Sequence, residues 1–189
     1  MFPTTEDPTI VADEQRTYLF DLLTTGRDAI RQAAANLTDT QLAYKPSPER
    51  WSIGENVEHI ALVESAMFLG IQKGLTYPDN PEKRAEIRVS DLDIIKAVRS
   101  RNMTLPAPDP VVPAGQFASV SAALDTFERE RTANLSVVQS ATENLRTHFA
   151  RHPAFGWIDT YQALLVLALH PVRHLKQIDE VKADAGFPA

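Results

Sequence analysis

The sequence predicts an all-α protein, a four-helix bundle with a long crossover between its second and third helices. Glycine is scarce, at 7 of 189 residues, and most of the 13 prolines lie between periodic segments. Four of those segments repeat apolar residues at helical spacing. Such a pattern is typical of long helices rather than many short strands. The length suits one domain with a sizeable core, so we expect a single bundle domain over 1–189.

The first predicted helix covers 13–36. Its apolar side is predicted to include Tyr18, Leu22, Ile30 and Leu37, and Asp13 can cap its start. The following residues, 37–50, combine polar and proline positions and predict a short turn and a loop.

The second predicted helix covers 53–73 and begins with a clear signal. Ser52 followed by Glu55 forms a capping box, which satisfies two backbone amides at the helix start. The residues predicted to face inward are then spaced alternately four and three positions apart, and Glu64 is the one polar residue among them. They are Ile53, Val57, Ile60, Glu64, Met67 and Ile71.

The crossover covers 76–118 and is rich in proline. Within it, Ser90 precedes a predicted short helix at 91–100. The third long helix is predicted over 119–142.

The fourth long helix is predicted after a turn at 152–157, where proline and glycine interrupt the helical pattern. Asp159 can cap it, with Gln162 as the capping partner three residues later. Gly186 is a plausible residue just beyond its end.

Composition narrows the functional classes. Net charge is −6 and acidic residues are scattered, so we expect no nucleic-acid partner. The chain has no cysteine, which removes disulfides, thiolate ligands and a cysteine nucleophile together. The most apolar run, 164–169, is too short to span a bilayer, and the N-terminus does not resemble a signal peptide. We therefore expect a cytoplasmic protein without a membrane partner.

Three histidines are the candidate metal ligands. His170 and His174 are four residues apart on the fourth helix, so they share one face. His59 flanks the inward positions of the second helix in the same way. Together these side chains can form a three-nitrogen site with an open position. The alternative is that they are interfacial histidines whose ring nitrogens bond to neighbouring groups.

A family resemblance rests on two of these segments. The sequences WSIGENVEHIALVE (51–64) and HPVRHLKQI (170–178) resemble the DinB/YfiT-like superfamily. The resemblance implies a four-helix bundle, often dimeric, so we expect a homodimer. It also implies a three-histidine site, whose ligands match His59, His170 and His174. Relatives include thiol-dependent S-transferases, a maleylpyruvate isomerase and metal-dependent hydrolases of unknown substrate.

Three further residues are ambiguous. Glu64 is either paired with an arginine of a neighbouring helix or available as a general base. Arg173 can orient a substrate anion or a water, or be solvated. Pro171 lies between two predicted ligands, where it removes a helical hydrogen bond and frees the Leu167 carbonyl. The kink expected there either accommodates packing or sets the angle between the two imidazoles.

The resulting functional hypothesis is a metal-dependent enzyme, either a hydrolase or a thiol-dependent S-transferase, acting on a small molecule. The metal is expected to be a divalent transition ion, with zinc or nickel preferred, and a thiol would be an exogenous low-molecular-weight cofactor. The alternative is a non-enzymatic stress-related or metal-binding helical bundle.

Overall fold

The computed structural model describes residues 2–3, 7, 9–100, 106–141 and 144–189. The helices are α1 (Asp13–Ala34), α2 (Asp39–Ala43), α3 (Ile53–Leu75), α4 (Asp91–Arg99), α5 (Val120–Ser140) and α6 (Thr160–Lys182). Two strands, β1 (Phe149–His152) and β2 (Gly156–Asp159), pair antiparallel between α5 and α6. Short 3₁₀ turns at Pro81–Glu86 and Asp109–Val111 complete the crossover. Within the described residues, no helix is both long and apolar enough to cross a bilayer.

The long helices α1, α3, α5 and α6 form the predicted bundle. Both α1 and α3 pack against α5 and α6, whereas α1 and α3 touch each other much less. The first two long helices in the chain, α1 and α3, therefore lie diagonally opposite each other in the bundle. The long crossover between α3 and α5, which includes α4, confirms the predicted topology.

Helix α6 is the most deeply buried element. It packs against α1 and α3 on its bundle side, while α4 of the crossover packs against it as well. Residues 160–169 are consequently buried without interruption. A helix that is apolar all round must be covered on every side, and α4 supplies that cover.

The helix starts follow the predicted capping signals, with one exception. Ser52 Oγ accepts from the Glu55 amide at 3.0 Å, and Asp159 Oδ1 accepts from the Gln162 amide at 2.7 Å. Asp13, however, is the first helical residue rather than the cap, so that prediction was wrong. Ala12 takes the cap position, and its amide donates to Gln15 Oε1 at 3.3 Å.

Two other expectations needed adjustment. The buried stripe of α1 contains Leu19, Leu23 and Ile30, so Ile30 is buried as predicted, whereas Tyr18 and Leu22 are only half-buried. The predicted turn at 152–157 lies within the β1–β2 hairpin. Gly156, the first residue of β2, has a φ of 71°. The last predicted residue of the third long helix, position 142, lies outside the described residues.

The core consists of two apolar clusters separated along the bundle. One includes Leu23, Ile71 and Leu135, and the other includes Ile30, Ile60 and Phe127. Along each long helix the members of the two clusters occupy different turns. Polar side chains of α3, α5 and α6 lie between them and form a layer across the middle of the bundle.

Candidate metal centre

The three predicted ligands are brought together between α3 and α6. Ring centroids of His170 and His174 lie 4.5 Å apart, and the His59 ring lies 5.1 Å from His170 and 4.7 Å from His174. One ligand nitrogen from each histidine lies within 4.8 Å of the other two. His59 and His174 are buried, and His170 is half-buried. Such a group could hold a metal ion.

Hydrogen bonds fix the orientation of two of the rings. His59 Nδ1 lies 2.6 Å from the Val111 carbonyl oxygen, which can only accept. His174 Nδ1 lies 3.0 Å from Asn56 Oδ1, while Asn56 Nδ2 donates to the Ser52 carbonyl at 2.8 Å. Both Nδ1 atoms therefore carry the proton, and both Nε2 atoms keep a free lone pair. Partners of this kind set the tautomer in which a histidine binds metal.

The Nε2 atoms of the α6 pair face each other. His170 Nε2 and His174 Nε2 are 3.0 Å apart, close enough to hold either one proton or one cation between them. Because the His174 proton is on Nδ1, the contact is satisfied either by neutral His170 donating its Nε2–H to His174 Nε2 or by a cation bound to both nitrogens.

Burial keeps all three imidazoles neutral at neutral pH. Loss of solvation lowers the pKa of His59, and it lowers the pKa of His174 to about 3 with further contributions from His59 and Arg173. The pKa of His170 is lowered by burial first and then by the two other histidines. Neutral imidazole is the form that coordinates a metal ion.

Trp51 forms one wall of the cluster. Its ring stacks on His174 at 6.1 Å with an interplanar angle of 17°, and it lies 4.8 Å from the His59 ring. This residue directly precedes the cap of α3, so the capping box places the indole over the imidazoles.

Glu64 lies in the polar layer and makes the ion pair that the sequence left as one alternative. Its two carboxylate oxygens accept from Arg131 Nε and Nη2, both at 2.7 Å, and one also accepts from Asn134 Nδ2 at 2.9 Å. Burial raises the pKa of the Glu64 carboxyl, and the Arg131 guanidinium opposes that rise. A role for Glu64 as general base stays a prediction.

Arg131 connects all the long helices and was not found from the sequence. From α5 it binds Glu64 of α3, and it also donates to the Leu23 carbonyl of α1 at 3.3 Å and to the Leu167 carbonyl of α6 at 3.2 Å. The Leu167 carbonyl has no helical amide donor, because the residue four positions later is Pro171, which lacks an N–H. The signal available in the sequence was an arginine four residues after Phe127, on the inward face of α5.

Arg173 and the two histidines outside the three-histidine group, His148 and His152, make contacts elsewhere. Arg173 is half-buried, and its Nη1 donates to the Ser100 carbonyl at 3.1 Å, which ties α6 to the end of α4. Its role toward a substrate stays a prediction. His148 contacts the carbonyls of Asn144 and Tyr77, and His152 stacks on Phe155 in the hairpin. Neither of these two histidines belongs to the three-histidine group.

A helical bundle with a buried three-histidine group of this kind belongs to a class of folds that place a metal site between helices. The chain belongs to the DinB superfamily, whose family model matches residues 22–178.

Two individual proteins extend the comparison. The chain is 28% identical over 146 residues to the uncharacterized protein YuaE of Bacillus subtilis (strain 168), covering 77% of this chain and 86% of that one. The structure of YfiT from Bacillus subtilis superposes with a TM-score of 0.65 at 18% identity, covering 99% of this chain and 95% of that one. YfiT is described as "a probable metal-dependent hydrolase with an unusual four-helix bundle topology". The likeness to YfiT shows that the two chains share this fold.

Proposed function

We propose that this protein is a metal-dependent enzyme that binds a divalent transition-metal ion on His59, His170 and His174 and acts on a small molecule. The observation that carries the proposal is the convergence of three neutral imidazoles, two of them held with Nε2 free to coordinate. The description of YfiT as a probable metal-dependent hydrolase supports the same class of function.

The donor set fits zinc or nickel, because both ions accept neutral imidazole nitrogen. Three protein ligands would leave a coordination position for a further group, as in catalytic rather than structural sites. A bound ion would supply Lewis acidity that activates a water or a thiol and polarises a carbonyl. Trp51 covers one side of the group by its ring contact with His174, and His170, the half-buried member, lies on the side from which a substrate would approach.

Two reactions are compatible with this donor set. Hydrolysis requires only water, whereas S-transfer requires an exogenous thiol because the chain has no cysteine. Turnover of esters or amides without thiol would support the hydrolase. Saturation kinetics with both a small thiol and an electrophile would support the transferase. Metal binding without any turnover in these assays would favour the non-enzymatic metal-binding alternative.

Elemental analysis of untagged protein, purified without chelators, tests the site. We expect about one equivalent of zinc or nickel in the wild type and loss of that metal in both His59→Ala and His174→Ala. His152→Ala is the matched control, since this histidine lies in the hairpin, and it should retain the metal. Metal retained in both cluster variants would contradict the proposal.

We also propose that residues 1–189 form one domain and that the protein is a cytoplasmic homodimer. The family resemblance supports the dimer, and the absence of cysteine is consistent with a reducing compartment. Sedimentation equilibrium would give the mass of the assembly directly, and a monomer at micromolar concentration would contradict the dimer.

A further inference from the structure

The crossover between α3 and α5 supplies one of the contacts that orient the histidine group. The Val111 carbonyl, at the end of a 3₁₀ turn, accepts from His59 Nδ1 at 2.6 Å. A carbonyl in a connection of this length fixes a ring only if the connection itself is held in place. The residues that follow Val111 show how it is held.

The segment 112–116 folds into a small backbone cradle for an anion. Gly115 has φ of 78°, and the amides on either side of it, of Ala114 and Gln116, point to the same place. The Gln116 side chain closes the segment, because its Nε2 donates to the Val112 carbonyl at 2.9 Å and its Oε1 accepts from the Ala114 amide at 2.8 Å. Backbone amides that converge in this way form an anion-binding concavity.

The anion in this cradle is the side chain of Glu58. Its Oε1 accepts from the Ala114 amide at 3.1 Å and from the Gln116 amide at 2.7 Å. Glu58 directly precedes His59 on α3. Two consecutive residues of one helix therefore hold the same crossover segment, one through a carboxylate and the other through an imidazole.

We infer that Glu58 is a positioning residue for His59: by anchoring 112–116 it holds the Val111 carbonyl against Nδ1 and so keeps Nε2 directed at the histidine group. The inference rests on the proposed metal site and assigns a role to a residue outside it. Without the anchor, the crossover segment is free to withdraw the carbonyl, and His59 can take the other tautomer. The ring would then present a protonated nitrogen to the site.

Zn²⁺ affinity, measured by competition with a chromophoric chelator, tests this on the full chain. Glu58→Ala should weaken Zn²⁺ binding on the order of tenfold, the usual effect of losing a contact that orients a ligand. Gly115→Ala should weaken Zn²⁺ binding similarly by disturbing the backbone that holds Glu58. An alanine is strained at the Gly115 φ of 78°, although nothing lies within 4 Å of the added Cβ. The double variant should lose little more than either single one, since both break the same contact.

Two controls separate positioning from general damage. Gly156→Ala introduces the same strain at φ of 71°, also in open space, but in the hairpin, so its Zn²⁺ affinity should equal that of the wild type. Glu58→Gln keeps an acceptor oxygen and should retain more affinity than Glu58→Ala. Equal losses in Gly156→Ala and Gly115→Ala, or wild-type affinity in Glu58→Ala, would overturn the inference.

The tautomer of His59 in metal-free protein gives a second readout, from long-range ¹H–¹⁵N spectra of the imidazoles. Wild type should show His59 with the proton on Nδ1 only. Glu58→Ala should instead show His59 partly in the tautomer with the proton on Nε2. A wild type that binds neither Zn²⁺ nor Ni²⁺ would refute the proposed function while leaving this readout decisive for Glu58. An unchanged His59 tautomer in folded Glu58→Ala would overturn the positioning role whatever the metal result.

Discussion

Replacing Glu64 by glutamine tests whether the polar layer of the bundle is structural or catalytic. The substitution keeps the size of the side chain but removes its charge. It also places an amide donor against the Arg131 guanidinium, whose Nε and Nη2 both donate to the carboxylate at 2.7 Å. Arg131 is fully buried, so water cannot replace the lost partner.

The expected cost follows from that burial. Removing one partner of a buried ion pair leaves an uncompensated charge and destabilises a protein by about 3–5 kcal/mol. For a chain of this size each kcal/mol shifts Tm by about 2–4 °C, so Tm should fall by roughly 6–20 °C. The bonds from Arg131 to the Leu23 and Leu167 carbonyls remain possible, which favours the lower part of that range.

Thermal and urea unfolding of Glu64→Gln, Arg131→Met and the double variant provide the measurement. The double variant should be less destabilised than the sum of the single ones, because it no longer buries an unpaired charge. Zn²⁺ affinity of Glu64→Gln, measured below its Tm, should be close to that of the wild type. Stability within about 1 kcal/mol of wild type would refute the structural reasoning. Normal stability and metal binding with lost turnover would instead support the general-base alternative.

Three further predictions concern Pro171, the bound metal ion and the hairpin residue His152. Pro171→Ala restores a donor for the Leu167 carbonyl, which Arg131 now satisfies, so it should raise stability by up to about 3 kcal/mol and change Zn²⁺ affinity. Raised stability with unchanged affinity would show that the proline does not set the angle between the imidazoles. Saturating Zn²⁺ at about 100 times its Kd should stabilise the protein by about 2.7 kcal/mol in calorimetry, an increment that His174→Ala should abolish. Burial lowers the pKa of His152 from 6.5, so the unfolded chain binds its proton more readily and stability falls as pH drops below 6.5. His152→Asn keeps an acceptor for the Ala154 amide and should lessen that fall in urea titrations, whereas an unchanged pH dependence would contradict it.

Local signals in the sequence predicted the bundle and the histidine group. The capping pairs Ser52 with Glu55 and Asp159 with Gln162 act over three residues, so they can be identified without knowledge of the fold. The spacing of His170 and His174 fixes a shared face by helix geometry alone. His59 required one further step, the packing of α3 against α6, which the bundle topology provides.

The residues that the sequence did not reveal act through long-range or backbone partners. Val111 contributes a carbonyl, which any residue type can supply, across 52 positions of chain. Asn56 reaches His174 across 118 positions, and its amide gives no sign of that partner. The β1–β2 hairpin was missed because each strand has only four residues, too few for an alternating pattern to stand out.

The crossover is therefore part of the site and more than a connection between helices. Its first half is fixed by Arg146, a buried residue that pairs with Asp91 at the start of α4 at 2.7 Å and with Asp159 at the start of α6 at 3.0 Å. Its second half is fixed by Glu58 through two backbone amides. Between these anchors the chain delivers a carbonyl to His59. The contacts of Arg146 with Asp91 and of Glu58 with the Ala114 and Gln116 amides therefore hold the crossover on either side of the carbonyl that orients His59.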